Sequence, residues 1–178
     1  MKTKWKVLLS FAAGILVTVL TPILVLATGA VYVGADTEPG YFERKLAPWA
    51  RDRSVAAHAP KEKNPHGDAA SIAAGLVHYR ENCLMCHGAP GIEGGELSKG
   101  LNPSAPELDM DDDSRPEGEL FWIIKHGLRM TPMPAFGPTH TDEEIWQIAA
   151  FVHHLPDLTE EEKTSLQTSK GKESRQGG

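Results

Sequence analysis

Cysteine is nearly absent from this 178-residue chain. There are two, enough for one bridge and too few for a disulfide-built scaffold. The chain also lacks any cluster of Lys and Arg, and its net charge is -6. Nucleic acid is therefore excluded as a partner, because phosphate backbones reward concentrated positive charge. No segment alternates with period two for long enough to argue a sheet, and no catalytic triad, paired carboxylates or phosphate loop stands out. What is present is ordinary for a globular chain, 40% hydrophobic and 24% charged. That balance rules out disorder throughout and, at this length, argues for one domain with extensions.

The averages conceal four unlike pieces. Residues 1–35 hold Lys2, Lys4 and Lys6, no acids, and a long apolar stretch from Val7 to Ala35. A helix crossing the bilayer core needs about 20 apolar residues, whereas the core of a cleaved signal peptide runs about 7 to 15. Length favours a retained transmembrane anchor, with Ala27–Ala30 as the cut region of the signal-peptide alternative. The flanking lysines place the N-terminus in the cytoplasm and everything after Ala35 outside. Pro22 is tolerable in such a span, and Trp5 and Tyr32 lie near its ends, where amphipathic rings prefer the interface. Residues 36–66 contain Pro39, Pro48, Pro60 and Pro65 and read as a linker. Within it, a short helix over 41–55 with Phe42, Leu46, Trp49 and Val55 near one face competes with an irregular tether. Such a helix would rest on a membrane surface or a partner. Residues 158–178 balance four acids with four bases and read as a polar, frayed tail.

Residues 67–157 carry the chemistry and most of the acidity, with 15 acids against five bases. Three helices are expected here. Asp68 caps the first, which runs to about Leu84 with Ile72, Leu76, Tyr79 and Cys83 at helical spacing. Ser114, with Pro116 just inside and Glu117 three residues on, opens a second that stops at Gly127. Thr141, followed by Asp142, Glu143 and Glu144, opens a third, in which Ile145, Ile148, Ala149, Val152 and Leu155 form the buried stripe before Pro156. Gly/Pro-rich loops join them.

The decisive string is Cys83-Leu84-Met85-Cys86-His87. C-x-x-C-H is the attachment signature of c-type haem: two thiols add across the porphyrin vinyl groups, and the adjacent imidazole binds iron from one face. Cysteines three apart on a helical turn reach neighbouring edge positions of the ring. A thioredoxin-like pair would want strand and helix alternation around it, which is missing. A structural zinc site needs four ligands, and no second C-x-x-C or H-x-x-x-H pair follows at a suitable distance.

With Gly75 and Tyr79 preceding that motif, and a Met-Pro pair followed by an acid-capped aromatic helix, residues 67–155 resemble a class I cytochrome c domain. The resemblance implies an all-α fold, a small helical bundle around one covalent haem c per chain, here behind an N-terminal transmembrane helix. It implies N- and C-terminal helices crossing at near right angles, with Gly75 against the face bearing Trp146, Ala149 and Ala150. It also implies that a second axial ligand stands immediately before a proline. Met133, in Met130-Thr131-Pro132-Met133-Pro134, fits that place, and Met130 is its competitor. The thioether is a soft ligand that favours reduced iron, and the flanking prolines stiffen its loop. Met85 and Met110 are poorly placed. His126 suits the C-terminal end of a helix, while His78, His140, His153 and His154 read as surface residues. By the same resemblance, the other nitrogen of His87 bonds a backbone carbonyl, and Pro106 fits better than Pro103.

The whole chain thus resembles a membrane-anchored monohaem cytochrome c of a bacterial respiratory chain. The function expected is that of an electron carrier rather than an enzyme, on the periplasmic face of the cytoplasmic membrane. A permanent haem subunit of a dehydrogenase or oxidase complex is the alternative. The acidic domain calls for redox partners with positively charged docking patches. The run Asp109, Asp111, Asp112 and Asp113 reads either as such a docking patch or as a solvated loop.

Overall fold

The computed structural model describes residues 2–108 and 115–173. Two compact units emerge, residues 1–34 and 35–178. The first is built on helix α1 (Lys2–Ala27), of which Thr3–Ala27 is long and apolar enough to cross a membrane. At 1.5 Å per residue the 26 residues of α1 extend about 39 Å, more than the roughly 30 Å hydrocarbon core. Two of its three threonines turn inward on the backbone: Thr18 Oγ1 donates to Gly14 O at 2.8 Å and Thr21 Oγ1 to Val17 O at 2.7 Å. Hydroxyls satisfied in this way carry little cost in lipid.

Among its described residues the second unit is built of helices and loops, with no strand. Its helices are α2 (Tyr41–His58), α3 (Ala69–Asn82), α4 (Leu84–His87), α5 (Glu117–His126), α6 (Asp142–His154) and α7 (Glu160–Glu173). As expected, Asp68 caps α3, accepting from the N–H groups of Ala70 and Ser71 at 3.0 Å each. Thr141 opens α6 with a capping box in which Glu144 N donates to Thr141 Oγ1 and Thr141 N to Glu144 Oε2. The core joins Leu76 and Tyr79 of α3, Phe121 and Ile124 of α5, and Ile145, Ile148, Ala149, Phe151 and Val152 of α6. Burial of each such large side chain contributes about 1.5–3 kcal/mol relative to exposure.

Helices α3 and α6 meet at Gly75. A Cβ there would run into the Gln147 carbonyl and lie 2.8 Å from the Phe151 Cβ. The glycine thus permits the close approach anticipated for it, but against Gln147 and Phe151 rather than Trp146, Ala149 and Ala150. Trp146 instead stacks on Phe121, with ring centroids 4.2 Å apart, and so joins α6 to α5.

Three expectations require correction. Helix α5 begins at Glu117 with Pro116 as its unassisted N-cap; Ser114 lies outside the described residues. Residues 36–66 are not a tether, because tertiary contacts outweigh their prolines. Pro39, Pro60 and Pro65 flank α2, and Pro48 alone sits inside it. Val55 and Ala59 are buried, Arg115 reaches back to Asp52 at 2.8 Å, and Asn64 Nδ2 donates to Trp146 O at 3.0 Å. The face foreseen for this helix is divided: Val55 points inward, whereas Phe42, Leu46 and Trp49 are exposed. Residues 160–173 are not frayed either. Thr159 and Glu162 form a reciprocal cap for α7, at 2.8 Å and 3.3 Å, and Leu158 and Leu166 are buried in the core.

Candidate haem-binding site

Helix α3 ends at Cys83, and the single turn of α4 carries Cys86 and His87 onward to Gly88, which takes φ 66°. Tyr79 secures this reversal by donating its hydroxyl to Gly88 O at 2.6 Å inside the core. A Cβ at residue 88 would also collide with the Ile92 carbonyl, so the turn requires glycine in both conformation and space. Cys83 is buried and Cys86 half-buried, and both are free thiols. Burial, reinforced by neighbouring Cys86, pushes the Cys83 thiol up to about 12. A dithiol redox centre needs a stabilised thiolate, and this environment opposes one.

His87 Nδ1 lies 2.9 Å from Pro106 O. A carbonyl accepts only, so Nδ1 carries the proton and Nε2 is left with its lone pair. Burial holds the pKa of this imidazole below its ordinary value of 6.5, with the Pro106 contact opposing the shift. The ring is therefore neutral and oriented, the state a metal requires of histidine. The proline singled out in the sequence is the one that supplies the carbonyl.

Opposite demands fall on the two methionines. Met130 takes φ 60° and is 93% exposed, at the tip of a turn, whereas Met133 is partly buried against the core cluster. The loop carrying Met133 is pinned at both ends. Leu128 N donates to Met133 O at 3.2 Å, Met133 N to Thr131 Oγ1 at 3.2 Å, and Phe136 N to Ile124 O at 3.0 Å. Gly127, at φ 64°, lets this loop cross the end of α5: a Cβ there would fall 2.7 Å from Ala135 N and 2.9 Å from Met133 O. Met85 is exposed, and Met110 falls outside the described residues together with Asp109, Asp111, Asp112 and Asp113.

The histidines set aside in the sequence have other engagements. His78 lies 3.9 Å from Glu144 and its ring is 5.3 Å from that of His140. His153 contacts Arg115 O at 2.8 Å, His154 contacts Glu162 at 3.2 Å, and His126 packs on Trp122. Among the described residues no group of three or more His, Cys, Asp or Glu side chains is arranged to hold a metal ion. Two unpaired thiols and a neutral imidazole on the one turn are donors that suit a covalently held haem, and the loop of Met133 restrains a thioether of the kind that could complete them.

Residues 70–152 match the family described as cytochrome c oxidase, cbb3-type, subunit III. They form a class I c-type cytochrome domain. Such a domain carries haem c, one for the single motif present, and its role is electron transfer. The cytochrome domain has relatives within larger proteins. The chain is 32% identical over 118 residues to the cbb3-type cytochrome c oxidase subunit FixP of Sinorhizobium medicae, covering 56% of this chain and 37% of FixP. It is 29% identical over 91 residues to a quinohemoprotein alcohol dehydrogenase of Comamonas testosteroni, covering 51% of this chain and 12% of that protein. The chain therefore spans well under half the length of either. Among solved structures, cytochrome cL of the methylotroph Methylophaga aminisulfidivorans aligns at 25% identity with a TM-score of 0.40, covering 74% of this chain and 81% of that one.

Proposed function

We propose that this chain is a membrane-tethered monohaem cytochrome c that passes single electrons between respiratory redox partners on the periplasmic side. The observation that carries the reading is the Cys83-x-x-Cys86-His87 turn with its imidazole already oriented by Pro106. Cys83 and Cys86 would hold the haem by thioether bonds, and His87 Nε2 and Met133 Sδ would be the ligands to its iron. When bound, the haem supplies a one-electron ferric/ferrous couple. The chain does the rest. Tyr79 and Gly88 fix the turn that presents the thiols, the Pro106 carbonyl keeps His87 in its ligating tautomer, and the Thr131 and Leu128 contacts hold Met133 in place at low ordering cost.

Support for the tether comes from α1, which has the length and composition of a membrane span, with Lys2, Lys4 and Lys6 at its start as in a helix whose N-terminus stays in the cytoplasm. The test is spectroscopic. Membranes containing the chain, washed with alkaline carbonate, should retain a haem-staining band, and carbon monoxide should leave the spectrum of the reduced protein unchanged if His87 and Met133 both ligate the iron. Carbon monoxide binding would instead place the chain among ligand-binding haem proteins.

A second reading, a permanent haem subunit of an oxidase or dehydrogenase complex, is favoured by the relatives, one named as an oxidase subunit and the other as a dehydrogenase. A stable assembly recovered from detergent-solubilised membranes would decide for it.

A further inference from the structure

Helix α2 has two apolar faces, and the fold uses one. Val55 and the following Ala59 are buried, and Asp52 lies on the same side, engaged by Arg115 of the segment leading into α5. Phe42, Leu46, Trp49 and Arg53 follow at i, i+4, i+7 and i+11, a single stripe turned well away from Val55. Phe42, Leu46 and Trp49 are 75%, 58% and 62% exposed, and Tyr41 beside them is 66% exposed. The Arg53 guanidinium lies 6.0 Å over the Trp49 ring, and Lys45 adjoins Leu46 on its other side. Bulky aromatics bordered by Arg and Lys are the composition of a helix that lies in a lipid headgroup layer.

With α1 read as a membrane anchor, the segment joining it to that stripe is short. Asn102 Nδ2 donates to Ala35 O at 3.1 Å and to Thr37 O at 2.6 Å, so the backbone is bound to the haem-bearing unit from residue 35 onward. The seven residues 28–34 remain between the end of α1 and that anchorage, and fully extended they reach about 25 Å. Charge selects the face. Residues 41–58 carry four bases and two acids, whereas 67–157 carry a net -10. An anionic lipid surface attracts the first and repels the second.

We propose that the Phe42/Leu46/Trp49 stripe of α2 seats on the surface of an anionic bilayer, its aromatic side chains among the headgroups and Lys45 and Arg53 against lipid phosphates. This rests on the reading of α1 as a membrane anchor. Seated so, the domain does not swing on a long flexible leash. It is held in one orientation, and its partners must present their redox sites at the same membrane surface.

The holoprotein provides the test. With Cys83 and Cys86 consumed in thioether bonds, Leu46→Cys introduces the sole free thiol. The full-length variant is placed in vesicles of phosphatidylcholine with phosphatidylglycerol and treated with a membrane-impermeant maleimide. Its labelling should be about tenfold slower than that of Glu161→Cys, an exposed position on α7. Adding Trp49→Glu to the Leu46→Cys variant should restore fast labelling while the haem spectrum is unchanged, which excludes misfolding as the cause. Labelling as fast as the control in these vesicles overturns the proposal. Fast labelling in vesicles but slow labelling in native membranes also overturns it, in favour of a protein partner on this face. Haem protein released from the vesicles by a high-salt wash would sink the anchor reading and this inference together. Retained protein in which the Leu46→Cys thiol is unprotected would sink this inference alone.

Discussion

At the scale of single residues, the proposed haem site is organised by contacts that leave one donor atom each of His87 and Met133 free. Pro106 O accepts the Nδ1 hydrogen bond of His87 and leaves Nε2. Thr131 accepts from the backbone N–H of Met133, so the thioether is positioned without being engaged. Met133→Ala should abolish the far-red sulfur-to-iron charge-transfer band of the oxidised holoprotein and lower its reduction potential, while Met130→Ala, altering a side chain 93% exposed, should leave both unchanged. Absorption spectroscopy with redox titration checks this, and the reverse pattern would transfer the axial role to Met130. Of the candidate residues, Cys83, Cys86 and His87 stand out in the sequence because covalent haem attachment tolerates so little variation in spacing that they read as a string. Pro106 was legible through resemblance alone, since nothing local to it marks a carbonyl 19 positions away as the partner of an imidazole.

At the scale of elements, local chemistry and long-range packing divide the fold between them. The starts of α3 and α6 were readable because Asp68 and Thr141 act on backbone N–H groups two or three residues away. Hydrogen bonds from Ser71 and Thr141 hold the Asp68 and Glu144 carboxyls below their ordinary values of 3.8 and 4.5. A carboxylate depressed in the folded state supports folding above its unfolded value, and that support disappears as pH falls through the lower folded value. Thermal melting should therefore be flat near neutrality and decline from about pH 4.5 downward. Helix α2 was half legible and its docking not at all, because Arg115, the partner of Asp52, lies 63 positions further along the chain. Helix α7 had a local signal, Thr159 with Glu162 three residues on, outweighed by the polar composition around it. Thr159→Ala should cost about 1 kcal/mol in denaturant unfolding if α7 is docked as described, and nothing if it is frayed. Gly75→Ala should cost more. The new methyl meets the Gln147 backbone, which has no rotamer by which to yield, and overpacking of this kind costs roughly 1–3 kcal/mol.

At the scale of the whole molecule, charge is sorted along the chain. The first 35 residues carry +3, residues 36–66 carry +1, residues 67–157 carry -10 and the remainder is neutral. The overall -6 therefore understates the field of the cytochrome domain, and that field bears on the rate of encounter more than on the strength of a docked complex. If the proposed partners present positive patches, oxidation of the reduced holoprotein by a basic soluble acceptor should be fast at low ionic strength and slow steeply as salt is added. The screening length falls from about 10 Å at 0.1 M to about 3 Å at 1 M, below the separation of most charges on two docking surfaces. An acidic acceptor of similar potential should show the opposite trend, its rate rising with salt as repulsion is screened. Stopped-flow oxidation with the two acceptors separates this from a neutral apolar docking surface, for which both rates would be insensitive to salt. Lys125 offers an internal control. It is a base on the acidic domain, already paired with Asp142 at 2.7 Å. Lys125→Gln makes the domain one unit more negative and should steepen the salt dependence with the basic acceptor without changing the haem spectrum.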